Sequence, residues 1–264
     1  MSDDREIFTG TAHYYAKYRP GYPPDFFDFV IKLFHLNGYS KLLDLGCGTG
    51  QLTIPLAPQF QEAIGLDPEK EMLTEAKKLA DSMAINNINW VESTAENFPF
   101  GQNVFKLTTM GASFHWMRQD EILNQIYEHT EVGGGLVITS NPTSAWKNDY
   151  EEKWQATRRG IVQKYLGQER RAGDSIYVRP KDRFEDIIDR SPFGRHEEWT
   201  HEYEQSWTLD SVIGYLYSTS FAARRLFGDQ IDDFEQELKT ELLRLEPNGI
   251  FKEQVRLTAL IATK

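Results

Sequence analysis

At 264 residues, 40% of them hydrophobic, the chain has room for one large α/β domain or for a core with an inserted cap. A net charge of −11 argues against a general nucleic-acid binder, which needs a basic surface. A single cysteine, Cys47, excludes an intramolecular disulfide and a cysteine-built zinc site, and no metal site is expected. The polar start MSDDREIF is unlike a signal peptide and no apolar run reaches membrane length, so the expectation is a soluble cytoplasmic protein without membrane contact.

In chain order, Met1–Gly10 is polar. Asp25–Leu36 carries Phe26, Phe27, Val30, Ile31, Leu33 and Phe34 at helical spacing, stopped by Asn37-Gly38. Lys41–Leu45 reads as a buried strand, and Leu52–Phe60 as a helix shortened by Pro55 and Pro58. Strand Ala63–Leu66 leads to a helix beginning at Pro68, where a missing amide hydrogen is harmless; Met72, Leu73, Ala76, Leu79 and Met83 form its expected buried stripe. Strands follow near Ile88–Val91 and Val104–Met110, then a helix at Asp120–Thr130. Gly133–Gly135 reads as a turn into strand Leu136–Ser140. Strands alternating with helices through short joins predict a parallel sheet with helices on both faces.

After Asn141-Pro142 the texture changes. Ala145–Arg195 is charged and aromatic (Trp146, Tyr150, Trp154, Tyr165, Tyr177) and is expected to be mainly helical. Glu197–Gln205 alternates as a strand, Leu209–Phe227 and Ile231–Leu245 read as helices, and Ile250–Ala262 as the last strand. Trp146, Trp154, Trp199, Trp207, Tyr215 and Tyr217 suit a core better than a substrate box. The clusters Arg158-Arg159, Arg170-Arg171 and Arg179 to Arg183 suit either solvated helix faces or an acidic acceptor.

The candidate site begins at Lys41–Gln51, KLLDLGCGTGQ. A strand ending in Gly46, Gly48 and Gly50 lets main chain lie against a ligand. The dinucleotide fingerprint would place its third glycine at Gln51, and the acid Asp44 would repel a pyrophosphate. Asp44 suits a cationic ligand instead. Asp67, ending the second strand, suits the two hydroxyls of a ribose. A phosphate-free adenosine ligand with a positive group is S-adenosylmethionine.

With DLGCGTGQ at Asp44–Gln51, GLDP at Gly65–Pro68, STAENFPF at Ser93–Phe100, FHW at Phe114–Trp116 and VGGGLVIT at Val132–Thr139, the chain resembles the class I S-adenosylmethionine-dependent methyltransferases, in their small-molecule branch. The resemblance implies a Rossmann-like, seven-stranded, mostly parallel sheet ending in an antiparallel pair. Residues 1–141 would form the cofactor-binding core with its lead-in. Residues 142–196 would be a helical cap, and residues 197–264 the last two strands, interrupted by cap helices over 209–245. It implies cofactor contacts from Asp44, Gly46, Gly48, Gln51, Asp67 and Pro68, and adenine contacts from Thr94 and the Ala95 amide. Thr94 stands where the family usually has an acid. Tyr15 and Arg19, in the matching lead-in TAHYYAKYRPGYP, would contact the methionine end, Arg19 through its carboxylate. His115 would be a base, a substrate anchor or part of the pocket floor. The implied activity is methylation of an O, N or C atom of a small organic acceptor. A catalytically silent cofactor-binding or partner protein and a nicotinamide-dependent oxidoreductase are the alternatives. Nucleic acid is not an expected partner, and the sequence leaves the oligomeric state open.

Overall fold

The computed structural model describes residues 7–99, 101, 104–140, 151–178 and 181–264. The polar start over residues 1–6, Phe100 of the STAENFPF motif, Trp146 and Tyr150 at the head of the expected cap, and Arg179 lie outside the described residues. In chain order the chain forms helices α1 (Ala12–Tyr18) and α2 (Pro24–Leu33), strand β1 (Lys41–Leu45), helix α3 (Thr53–Leu56), strand β2 (Glu62–Asp67) and helix α4 (Lys70–Ser82). Strands β3 (Ile88–Glu92) and β4 (Phe105–Gly111), helix α5 (Gln119–Glu128) and strand β5 (Thr130–Thr139) follow. Then come helix α6 (Lys153–Leu166), short strands β6 (Arg171–Ala172) and β7 (Ser175–Ile176), helix α7 (Phe184–Arg190) and strand β8 (Glu197–Thr208). Helices α8 (Leu209–Tyr217) and α9 (Ile231–Leu245) and strand β9 (Ile250–Thr263) complete it. No described helix is long and apolar enough to cross a membrane.

Two compact units result. The sheet unit takes in Gly21–Pro142, Pro180–His201 and Leu257–Lys264; the helical unit takes in Met1–Pro20, Thr143–Arg179 and Glu202–Arg256. The main sheet has the order β3-β2-β1-β4-β5-β9-β8, with β1 to β5 parallel and β9 antiparallel to β5. The expected seven-stranded, mostly parallel α/β sheet is therefore present. Side chains alternate across each strand. Leu43, Leu45, Ile64, Leu66, Leu136 and Ile138 pack on one face against Ile122, Leu123 and Ile126 of α5 and Ile187 and Ile188 of α7. The opposite face carries a cross-strand row, Trp90, Gly65, Asp44, Thr109, Val137 and Ile261, with α3 beside it.

Several expectations need correcting. Gly133–Gly135 is not a turn but lies inside β5, at a register shift opposite Phe105 and Leu107. A Cβ on Gly135 would stand 2.2 Å from the Ala262 carbonyl oxygen, so close strand approach demands glycine there. In α4, Leu79 and Met83 are 41% and 55% exposed, whereas Ala80 is buried with Met72, Leu73 and Ala76. The helix packs on β2 and β3, and β3 is the sheet's edge. Leu209–Phe227 is not one helix: α8 stops at Tyr217, and a separate 3-10 stretch runs from Arg224 to Gln230. Ser218 and Thr219 donate their hydroxyls to the carbonyls of Tyr215 and Leu216, the local bonding that competes with helix continuation. The α1 helix and the β6–β7 hairpin are additional elements.

Within the helical unit, capping boxes start two helices: Thr208 with Ser211 for α8, and Glu152 with Gln155 for α6. Trp154, Trp207, Tyr215 and Tyr217 are buried in its core with Phe227, Phe234 and Phe251, which bears out their reading as packing residues. Trp199 belongs to the sheet unit, stacked on Phe29 at 5.2 Å.

Candidate cofactor site

β1 ends at Leu45 and passes into a turn in which Gly46, Gly48 and Gly50 have φ of 67°, 56° and 86°. That region is strained for residues with a Cβ. Gly46 has a second constraint, because a Cβ there would lie 2.5 Å from the Ser113 Cβ. Ser113 cannot easily retreat, since its hydroxyl donates to the Leu45 carbonyl at 2.6 Å.

Asp44 is 1% exposed. One carboxylate oxygen accepts from Thr53 Oγ1 at 2.5 Å and the other from Thr109 Oγ1 at 2.8 Å. Asp67 accepts the Gly48 N–H on Oδ2 and the Glu69 N–H on Oδ1, each at 2.9 Å. One side chain thus ties the glycine turn to the second strand. It also makes an Asx-type turn, which delays α4 to Lys70 rather than Pro68. Burial pushes both carboxyls up to about 6, against the opposing pull of these donors, which favour the charged form.

That shift has a measurable sign. A carboxyl raised from 3.8 to about 6 binds more protons in the folded state than in the unfolded one. Its stabilising contribution is complete below pH 3.8 and is lost as pH rises through about 6, a change of about 3 kcal/mol for two units. Asp44→Asn removes the titration, so its stability relative to the parent should rise by about that amount between pH 4 and pH 7. Urea unfolding at stepped pH measures this, and a pH-independent difference would contradict it.

The remaining expected residues take distinct places. Gln51 donates through Nε2 to Thr49 Oγ1 at 2.7 Å, and Pro68 is half-buried after β2. Thr94 precedes a 3-10 turn, Ala95–Asn97, without a side-chain cap, and the buried Ala95 carries the turn's first N–H, which has no acceptor within the turn. His115 lies in a 3-10 turn just after β4, half-buried, its ring 4.6 Å from that of Trp116. Tyr15 and Arg19 belong to the helical unit. There Arg19 donates to the Ser218 hydroxyl at 2.8 Å and carbonyl at 3.2 Å, and stacks over Tyr15 at 4.5 Å and Tyr215 at 4.9 Å. Burial pushes the Cys47 thiol well up, helped by the neighbouring Asp67 and Asp44 charges, so it stays protonated and packs.

Four residues at the site were not singled out from the sequence: Thr53, Thr109, Ser113 and Trp90. Trp90 pairs in register with Gly65, and a Cβ on Gly65 would lie 2.5 Å from the Trp90 ring. A large aromatic opposite a glycine on the neighbouring strand is the signal that would have found it. Among the described residues no group of three or more His, Cys, Asp or Glu side chains is placed to hold a metal.

A parallel sheet whose first strand enters a left-handed glycine turn, tied by an acid on the second, defines a Rossmann-like nucleoside-cofactor protein. Residues 42–134 match the family described as a methyltransferase domain. A Dictyostelium discoideum chain named as a methyltransferase is 25% identical over 92% of this chain and 86% of that one. An uncharacterised methyltransferase of Schizosaccharomyces pombe is 32% identical over 48% of this chain and 49% of that one. The solved YcgJ protein of Bacillus subtilis shares the fold with a TM-score of 0.55 at 16% identity, covering 90% of this chain and 97% of its own. The chain spans about half the length of several curated relatives it matches. Residues 42–134 thus carry a methyltransferase domain, and these likenesses support the class I S-adenosylmethionine-dependent methyltransferase family.

The residues present fit that family's cofactor. Each carboxylate oxygen of Asp44 and Asp67 accepts one bond and retains a further lone pair. Among the described residues neither acid is in an ion pair, so two buried negative groups stand ready for a cation and for hydroxyl donors.

Proposed function

We propose that this protein methylates an O, N or C atom of a small organic acceptor, using S-adenosylmethionine as donor. The observation that carries the reading is the buried pair Asp44 and Asp67 around a left-handed glycine turn, with no side-chain cation among the described residues to balance them. Asp67 accepts the ribose hydroxyls. Asp44, already oriented by Thr53 and Thr109, supplies negative charge near the donor's cationic end. Gly46 and Gly48 allow main-chain approach, and Gln51 and Pro68 line the turn and the strand end. Thr94 and the Ala95 amide take the adenine edge.

When bound, the donor supplies an already activated methyl group: an acceptor lone pair forms the new bond to carbon while the C–S electrons return to sulfur. The protein's task is therefore chiefly alignment, which is worth roughly 7–11 kcal/mol of barrier in well-oriented systems. His115 anchors the acceptor or removes its proton, the latter adding about 10²–10⁴-fold when a proton must leave. Acceptor choice is assigned to the helical unit, which takes in residues 143–179 and 209–245 of the expected cap, whereas residues 180–196 belong to the sheet unit.

Calorimetry with S-adenosylhomocysteine, the demethylated donor, should show saturable one-to-one binding. Absence of heat and of thermal stabilisation at millimolar ligand would sink the proposal.

A further inference from the structure

The helical unit holds two arginines in an arrangement that surface solvation does not explain. Arg19 follows α1, and Arg170 precedes β6. The Arg170 guanidinium lies 4.3 Å from the Tyr177 ring centre and 5.6 Å from that of Phe221, and its buried Nε has no hydrogen-bond partner among the described residues. The Arg19 guanidinium is set by the Tyr15 and Tyr215 rings and by the oxygens of Ser218, which is fully buried. Burial lowers the Arg170 pKa, and the charge of Arg19 lowers it further. Tyr215, 1% exposed, is common to both surroundings.

Several other described arginines are balanced. Arg118, Arg159, Arg183, Arg190 and Arg225 pair with carboxylates, and Glu253 acts on the buried Arg158. Among the described residues neither Arg19 nor Arg170 has an acidic partner, in a chain with 40 Asp and Glu against 29 Lys and Arg. Neighbouring like charges repel, and aromatic stacking with neutral oxygens offsets only part of that. Simple packing of the alkyl stems would not require two such heads together. Rings and serine oxygens fix both planes beforehand, and a fixed guanidinium plane is what bidentate oxyanion recognition uses.

We propose that Arg19 and Arg170 form a clamp for an oxyanion, a carboxylate or a phosphate, and that the methyl acceptor is a small acid held through that group. The acceptor assignment rests on the methyltransferase reading; the clamp itself does not. Arg19 then serves the acceptor rather than the carboxylate of the methyl donor, the partner suggested by its place in the lead-in segment.

The full chain is titrated with malonate, with inorganic phosphate and with chloride at matched ionic strength, followed by calorimetry and thermal melting. Malonate or phosphate should bind saturably and chloride should not; the tighter of the two identifies the acceptor's acid as carboxylic or phosphoric. Arg170→Gln and Arg19→Gln should each weaken binding by about tenfold or more. Arg170→Lys keeps the charge but not the planar fork, so it should fall between, and it replaces Arg170→Gln if that variant fails to fold. Arg183→Gln, which alters a surface pair with Glu185, should change nothing. Affinity for S-adenosylhomocysteine, measured in parallel, should persist in every variant. Failure of malonate and phosphate to bind the parent, or equal affinities in the Arg19 and Arg170 variants, overturns the clamp. Parallel loss of S-adenosylhomocysteine affinity in those variants assigns it to the donor's carboxylate and overturns the acceptor assignment. A parent that binds malonate but no S-adenosylhomocysteine overturns the methyltransferase reading and leaves the clamp standing.

Discussion

Asp67→Ala should weaken S-adenosylhomocysteine binding by about 30–150-fold, the equivalent of about 2–3 kcal/mol. Two losses combine. The acceptor for the ribose hydroxyls disappears, and the Gly48 and Glu69 amides, which the carboxylate holds at 2.9 Å, lose their partner just where the turn must keep its shape. Asp67→Asn keeps one acceptor oxygen, so its loss should be smaller. The pH dependence separates charge from shape. Burial holds the carboxyl at about 6, and the ionised form is the better acceptor, so the parent's affinity should be full well above pH 6 and fall as pH drops through it. The asparagine variant should lack that fall. Calorimetry at several pH values, with unfolding measured alongside to exclude loss of fold, checks both points. Unchanged affinity in Asp67→Ala would place the ribose away from the end of β2.

The parts legible in the sequence were those governed by local rules. β1 has the bounds expected of it, Lys41–Leu45, because an apolar run closed by glycines has few alternatives, and α9 likewise matches Ile231–Leu245. The misreadings arose where a neighbour decided. Gly133–Gly135 looks like a turn in one dimension, yet the nearness of the Ala262 carbonyl makes Gly135 a strand residue. Leu79 and Met83 keep the apolar period of α4 but stay exposed, and the buried stripe passes through Ala80 instead. At the site, Asp44 and Asp67 could be singled out because strand ends are local. Thr53 and Thr109, which orient Asp44, were hidden because they reach it from α3 and β4, nine and sixty-five positions away. Arg19 was singled out for the donor's methionine end and Arg170 only as a member of a charged cluster; that both lie near Tyr215 emerges from the packing of the helical unit.

Gly46→Ala should be the most damaging single methyl group at the site, because it combines two independent penalties. A Cβ at φ 67° costs about 1–2 kcal/mol, and forcing it against the Ser113 Cβ adds the roughly 1–3 kcal/mol typical of overpacking. The sum, about 2–5 kcal/mol, is a large share of the roughly 5–15 kcal/mol that stabilises an ordinary domain. The two penalties can be separated. Ser113→Gly removes the opposing carbon and, with it, the hydroxyl bond to Leu45, worth about 1 kcal/mol. In the double variant the steric part should vanish while the backbone part remains, giving a favourable coupling of about 1–3 kcal/mol between the two sites. Urea unfolding of the parent, both single variants and the double variant measures it. Strict additivity would mean that the turn relaxes away from β4, and that the close contact between Gly46 and Ser113 does not set the shape of the cofactor loop.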